Sequence, residues 1–359
     1  MIKYLGSKRR LVPRIVALVS AIPGARTVLD LFTGSTRVAQ GLKGAGFHVT
    51  ANDLASYSEV LATAYIATDA ARAPVADWAA KLEVLDRLPD VRGYVTRTFC
   101  EEARYFQPAN GQRIDAIRAG IDRVAESPAE RAVLLTALLE AADRVDSTTG
   151  LQMAYLKSWA PRSHRPLVLR MPELLRGPGV ATRADAGEFV AAAGPFDVAY
   201  LDPPYNQHSY YSNYHIWETL VRGDAPEAYG IARKREDCRS TKSAFNQRPR
   251  AWDALRAVVE GVNARHLLLS FSNEGFFTDA EIRRLLDDRF GEVAVIPVDS
   301  PRYVGARIGI HNPKGERVGA VSHVRNTELL FLAGPDAQEI ADASGARTMG
   351  AVLTASGGR

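Results

Sequence analysis

Thr27-Val28-Leu29-Asp30-Leu31-Phe32 runs into Thr33-Gly34-Ser35-Thr36, and His48-Val49-Thr50-Ala51-Asn52-Asp53 follows. The first run is apolar enough to read as a strand buried on both faces. The four residues after it make a tight turn. Arg37 to Ala45 then reads as a helix, which Gly46 stops. The second run is another strand, and it ends on an acid. Strand, glycine-bearing turn, helix, strand and acid form the first half of a dinucleotide-type βαβ unit. In such units ligands bind past the carboxyl ends of the strands. Gly34 lets a ligand approach the backbone. Asp53, 19 residues further on, stands where a carboxylate meets the hydroxyls of a ribose. The turn carries one glycine rather than three, which leaves little room for a pyrophosphate. A ligand with a ribose and no phosphate fits better. The same pattern also suits a plain α/β crossover.

A second stretch points to chemistry. Phe196-Asp197-Val198-Ala199-Tyr200-Leu201 reads as a short buried strand, and Asp202-Pro203-Pro204-Tyr205 follows at its carboxyl end. Two prolines fix φ and remove two backbone donors, so the turn is rigid and its carbonyls are left to accept. A carboxylate, a carbonyl and a flat ring suit gripping an amino group on a planar heterocycle and stacking on its face. The alternative is a Pro-rich turn with a capping acid. The loop Asn206 to His215 is rich in amide, hydroxyl and ring, as binding loops are. His208 and His215 lack partners at ligand spacing, so no metal is expected. At the start of the chain, Tyr4-Leu5-Gly6-Ser7-Lys8 precedes a helix with Leu11, Val12, Ile15, Leu18, Val19 and Ile22 on one face. Small residues at a helix entrance could hold an anionic or carboxylate-bearing ligand on backbone N–H groups. A frayed terminus with a solvated lysine reads equally simply.

Between these landmarks lies a helical block. Val75 to Leu88, Tyr94 to Phe106, Arg113 to Val124 and Glu130 to Val145 show helical apolar spacing, and Ser127-Pro128-Ala129-Glu130 has the makings of a capping box. No strand pattern intervenes, so the block is an insertion. Lys157, Trp159, Arg162, His164, Arg165 and Arg170 then interleave bases with aromatics and prolines, a mix suited to phosphate contact and stacking. Val180 to Arg183 is a short strand. Asp185 at its end either accepts from an adenine's amine or caps the helix Glu188 to Ala193, and both can hold. The densest positive stretch runs from Arg233 to Arg250 and includes Arg235, Lys242, Ser243 and Asn246. It reads as a phosphate track or a solvated loop. A third α/β pass follows: helix Trp252 to Val262, strand His266 to Phe271, helix Asp279 to Asp288 and strand Glu292 to Val298. A basic hairpin or flap, Arg302 to Arg317, and a last strand, Thr327 to Leu332, complete it. Beyond Gly334 a short helix at most is expected, then disorder.

The bulk numbers set limits. The chain has 359 residues, 46% hydrophobic and 24% charged, with a formal charge of +4 and a pI near 9.0. That balance permits a nucleic-acid partner without requiring one. Cys100 and Cys238 form neither a zinc spacing nor a disulfide framework, so a reducing, cytoplasmic setting is the default expectation. No apolar run reaches membrane-spanning length, and the first residues lack the apolar core of a secretory signal.

Together these segments resemble the Dam-type DNA adenine methyltransferase family over most of residues 1–332. Tyr4 to Lys8 resembles the family's N-terminal cofactor motif, and Asp30-Leu31-Phe32-Thr33-Gly34 resembles its glycine-bearing motif. Asp53 matches the ribose acid, and Asp202-Pro203-Pro204-Tyr205 matches the catalytic motif. Asn213-Tyr214-His215 is similar to a loop of restriction-system modification enzymes. Ser35-Thr36 departs from the pattern, which usually has a second small Gly or Ala after Gly34. The resemblance implies a Rossmann-like methyltransferase sheet with helices on both faces, formed by residues 1–68 and 178–333. A mainly helical target-recognition insertion would occupy 69–177, and a flexible tail 334–359. It implies S-adenosyl-L-methionine held by Tyr4, Gly6, Lys8, Asp30, Phe32, Gly34, Asp53, Asp185 and Asp202, with catalysis by residues 202–205. It also implies double-stranded DNA, with a flipped adenine, as substrate. The DNA contacts expected are Lys157, Arg162, Arg165, Asn213, Tyr214, His215, Arg235, Lys242, Ser243 and Asn246. A cognate restriction endonuclease is the candidate protein partner. Rival readings are transfer to cytosine N4, to RNA adenine or to a protein glutamine, and a non-enzymatic DNA-binding module.

Overall fold

The computed structural model describes residues 2–4, 8–272, 275–301, 310–311, 317–319, 325–346 and 348. Seven strands join in one sheet: β1 (Thr27–Asp30), β2 (His48–Asp53), β3 (Gly179–Arg183), β4 (Phe196–Leu201), β5 (Ala264–Ser272), β6 (Val293–Pro301) and β7 (Arg325–Ala333). Their order is β3-β2-β1-β4-β5-β7-β6. Neighbours from β3 to β5 are parallel, while β7 runs antiparallel to both β5 and β6. From β1 the chain builds outward to β2 and later returns to lay β4 on the other side. A crevice therefore opens at the carboxyl ends of β1 and β4, as in other doubly wound sheets. The expected Rossmann-like α/β class is what the sheet displays.

Alternation along each strand feeds two cores. Val28, Val198, Tyr200, Leu268 and Leu330 face one; Leu29, Ala199, Leu201, Leu269 and Phe331 face the other. On the second face lie α7 (Ala186–Ala192), α10 (Arg248–Gly261) and α11 (Asp279–Phe290). The first face carries α1 (Val12–Ala21), α2 (Arg37–Gly44), α3 (Ser56–Ala62) and α9 (His215–Arg222). The helices of the 69–177 block, α4 (Val75–Asp86), α5 (Pro108–Val124) and α6 (Pro128–Val145), contribute to that same core through Leu82, Ile117, Leu134 and Leu138. The block thus thickens one layer of the sheet domain. Burying apolar faces against it is what holds these helices in place, since tertiary packing rather than propensity supplies most helical stability.

Two expectations change. The helix expected at Tyr94 to Phe106 shrinks to a π-helical turn, Thr96–Glu101. Asp115 reaches from α5 to accept the amides of Gly93, Val95 and Thr96, each at 2.9 Å, which fixes where that turn starts. The capping motif at Ser127 is half formed: its Oγ accepts the Glu130 amide at 3.2 Å, but Glu130 reaches back to the Glu126 amide rather than to Ser127. The chain beyond 334 is not loose throughout. Helix α12 (Ala337–Ala343), the short helix expected beyond Gly334, buries Ala337, Ile340 and Ala341 in the first core. Most of the basic flap lies outside the described residues; within it Ile310–His311 pairs antiparallel with Arg317–Gly319.

Candidate active site

A cleft opens at the carboxyl ends of β1 to β4. Leu31, Phe32 and Gly34 line it from the turn after β1, Asn52 and Asp53 from the end of β2, Asp185 after β3, and Asp202 and Pro204 after β4. Tyr4, Tyr57, Tyr210 and Tyr211 add rings, and Thr241, Ser243, Phe245 and Asn246 complete the wall. Counted out to its open mouth, the space is about 910 Å³.

The glycine turn and the acid of β2 are tied together. The Gly34 amide donates to Asp53 Oδ2 at 2.8 Å, and the Ala55 amide donates to Oδ1 at 3.0 Å. Burial pushes the Asp53 carboxyl up, and these backbone bonds oppose it. Gly34 has φ +50°, and a Cβ there would come 3.2 Å from the Tyr4 ring. Gly34→Ala therefore combines a left-handed backbone with a ring clash at the cleft's floor, a strain of about 1–2 kcal/mol from the backbone alone. A tenfold or greater loss of affinity for the cleft's ligand is expected in calorimetry, with the far-ultraviolet spectrum unchanged. Where the family pattern has a second small residue, Thr36 takes φ +63°. Its Oγ1 donates to the Ser35 carbonyl and accepts from Gln40 Nε2, both at 2.7 Å, which offsets the strain. Asp30 is buried, with Oδ2 accepting from Thr33 Oγ1 and the Ala39 amide and Oδ1 without a partner. Burial pushes its carboxyl up to about 7.

Tyr4 is the centre of an aromatic stack. Its ring lies 4.4 Å from Tyr214 and 5.5 Å from Tyr210, both nearly parallel, and its hydroxyl is 3.1 Å from that of Tyr57. Lys8, expected to hold a ligand, does something else. Its Nζ is 3.1 Å from Asp202 Oδ1 and 3.2 Å from Glu328 Oε2, and it does not line the cleft. Burial alone would lower the Lys8 pKa, but the two carboxylates hold its charge. Burial raises the Asp202 carboxyl to about 6, against the pull of Lys8 and with the push of Glu328. Its side chain remains 20% exposed, so a ligand can reach it. The Tyr205 ring is not part of the cleft lining either; it packs edge-on against Phe271 at 5.7 Å.

Residues 4–272 match the sequence model of the D12 class N6 adenine-specific DNA methyltransferase family. The chain belongs to that family. It is 30% identical to Modification methylase StsI of Streptococcus sanguinis over 303 residues, covering 80% of this chain and 46% of that protein. It is 27% identical to Type II methyltransferase M.NlaIII of Neisseria lactamica over 338 residues, covering 89% of this chain and 98% of that one. Type II methyltransferase M.FokI of Planomicrobium okeanokoites is 29% identical over 305 residues, with 79% of this chain and 46% of that protein covered. The chain thus spans about half the length of the StsI and FokI enzymes and nearly all of M.NlaIII.

In this D12-family chain the residues that sequence reasoning assigned to DNA divide into two groups. Lys157, Arg165 and Lys242 are exposed. Ser243 and Asn246 line the cleft wall, and Asn246 Nδ2 holds the Asn206 and His208 carbonyls. The others are corrected. Asn213, Tyr214 and His215 are buried; Tyr214 backs Tyr4, and His215 Nε2 sits 2.9 Å from the Gln152 carbonyl. Burial pushes the His215 imidazole down to about 3, so it stays neutral. Arg162 is drawn onto Asp146 at 2.7 Å. Arg235 is 1% exposed and locked between Asp224 and Asp237. Asn213, Tyr214, His215 and Arg235 are too buried to offer DNA a surface, whereas Arg162 keeps 32% of its side chain exposed while bound to Asp146. Asp185 lines the cleft and also caps α7 through the Gly187 and Glu188 amides. Gly6 lies outside the described residues. Sequence reasoning passed over Asn52, whose Nδ2 donates to the Leu31 and Ala184 carbonyls and so clips the ends of β1, β2 and β3 together. It also passed over Tyr57. Among the described residues no group of three His, Cys, Asp or Glu could hold a metal ion, and no helix is long and apolar enough to cross a membrane.

Proposed function

We propose that this protein transfers a methyl group from S-adenosylmethionine to the N6 amine of adenine in double-stranded DNA, with the base turned out of the helix. The observation that carries this reading is the single cleft lined by both Asp53 and Asp202, and by Asp185, with no Lys or Arg lining it among the described residues. A phosphate-bearing ligand would want cations there. A ligand carrying a sulfonium and an ammonium, a ribose and a flat base suits acids and rings. Asp53 is poised for the ribose hydroxyls, and the Phe32 ring lines the cleft where a base would lie. S-adenosylmethionine supplies a methyl group already attached to a good leaving group.

The rest falls to the chain's own residues. An adenine amine is a poor nucleophile because its lone pair conjugates with the ring. Asp202 accepts one of its hydrogens and the Pro203 carbonyl the other, drawing nitrogen toward a tetrahedral shape and localising the lone pair. Holding both reactants in one cleft contributes further. The adenine reaches Asp202 only outside the duplex, and Ser209, Tyr210 and Tyr211 line the cleft it must enter. Lys157, Arg165 and Lys242 are the cations offered to phosphates, and the helical block is the candidate reader of sequence. A cognate restriction endonuclease is the partner to seek, and the cytoplasm is the proposed compartment.

The test is methyl incorporation from labelled S-adenosylmethionine into unmethylated duplex DNA, followed by nucleoside digestion and mass spectrometry. N6-methyladenine is expected; N4-methylcytosine, or label only in RNA or protein, would reject the proposal. Lys242→Ala should weaken DNA binding evenly across sequences. It should also flatten the plot of log affinity against log salt by about 0.9.

A further inference from the structure

We propose that Glu328 is a positioning residue for this transfer: by sharing Lys8 with Asp202, it keeps Asp202 a stronger hydrogen-bond acceptor than a dedicated ion pair would leave it. The inference rests on the reading of Asp202 as the acceptor of the adenine amine.

The arrangement is one ammonium between two carboxylates. Lys8 Nζ stands 3.1 Å from Asp202 Oδ1 and 3.2 Å from Glu328 Oε2. All three side chains are largely withdrawn from water, at 6% exposure for Lys8, 20% for Asp202 and 12% for Glu328. Screening is therefore weak, and the distribution of charge within the trio matters. The contact on Oδ1 fixes the carboxylate and leaves Oδ2 for a substrate amine. If Lys8 served Asp202 alone, its charge would drain the basicity that draws hydrogen from that amine. Glu328 takes part of that charge, and the trio keeps a net charge of −1.

Topology brings Glu328 there. It lies near the start of β7, opposite Ser272 of β5 and Val298 of β6. Because β7 is antiparallel, its beginning lies at the rim where β5 ends. A parallel strand would present its end there instead. The other groups that feel the charge of Asp202 are Tyr200 of β4, Asp30 of β1 and Tyr210 of α8 (Tyr210–Asn213), and Tyr205 acts on Lys8. Lys8 is the cation among them. Among the described residues no other cation acts on Asp202, so removal of Glu328 hands Lys8 to it.

The signature is a displaced pH profile. Single-turnover methyl transfer to duplex DNA is measured from pH 4.5 to 8.5 for the wild type, Glu328→Gln and Asp202→Asn. In Glu328→Gln the acid limb should move to lower pH by about half a unit or more, because a like charge near Asp202 has gone. The plateau rate should fall several-fold, as the weaker base pulls less, while the Michaelis constant for S-adenosylmethionine holds. A purely structural role predicts loss of rate with the limb in place. An unmoved limb in a folded Glu328→Gln protein overturns the proposal, provided Asp202→Asn is inactive. If Asp202→Asn keeps full activity, the reading of the site itself has failed. Glu328→Leu also removes the charge and serves if the Gln variant melts early. Failure of both to fold assigns Glu328 to stability alone and overturns the positioning role.

Discussion

Asp202→Asn is expected to lower the rate of methyl transfer by at least a hundredfold to a thousandfold, the usual effect of removing a hydrogen-bonding group matched to a developing charge. The amide keeps the shape of the side chain but turns one acceptor into a donor aimed at the amine. Lys8 retains Glu328 as a partner at 3.2 Å, so the buried ammonium is not stranded and the fold should survive. Binding of S-adenosylmethionine, measured by calorimetry, should change little, because the glycine turn and Asp53 are untouched. The wild-type rate should also fall as pH drops through about 6, where Asp202 takes a proton and loses the charge it accepts with. Undiminished transfer by a purified Asp202→Asn protein would remove the catalytic assignment.

Arg235→Ala is expected to destabilise the fold by about 2–3 kcal/mol, less than for a fully buried pair broken from one side, because Asp224 and Asp237 are 29% and 33% exposed and keep Arg222 as a partner. The guanidinium meets Asp224 through two parallel bonds of 2.7 Å and Asp237 at 2.9 and 3.1 Å. Burial alone would raise both acids, but Arg235 holds them below the usual carboxylate range. Their contribution to stability is therefore present at neutral pH and lost as the pH falls through their depressed values. Asp237 also accepts the Tyr211 hydroxyl at 3.0 Å, so the damage should spread to the cleft wall. Thermal melting at neutral pH reads the loss. A normal melting temperature with weakened DNA binding would return Arg235 to the surface role that its sequence suggested.

Residues 27–53 were legible because everything they specify is local. Alternation, a turn glycine and a terminal acid lie within one βαβ unit, and the strands form where the pattern puts them. Asp202 was legible for the same reason: a strand followed by two prolines leaves few alternatives. The basic stretch misled because positive charge in sequence says nothing about who neutralises it. Here a signal did exist, since Asp224 and Asp237 sit close to Arg235 in the chain. Tyr214 and His215 misled because polar aromatics read as surface until a packed partner is known, and Tyr4 lies at the far end of the sequence. The bond between Lys8 and Glu328 spans 320 residues, and no local pattern could announce it. The helical block showed its periodicity but not its neighbour, because an amphipathic face does not say which surface it covers.

The place of β7 between β5 and β6 has a bearing on synthesis. The strand that fills this gap, Arg325–Ala333, is synthesised after both of the strands it joins. Until then two ribbons of backbone stand bare, and Lys8 lacks one of its two acids. A premature stop upstream of residue 325 should therefore yield insoluble fragments rather than a weakened enzyme, and the dose of modification in a cell should follow full-length product alone.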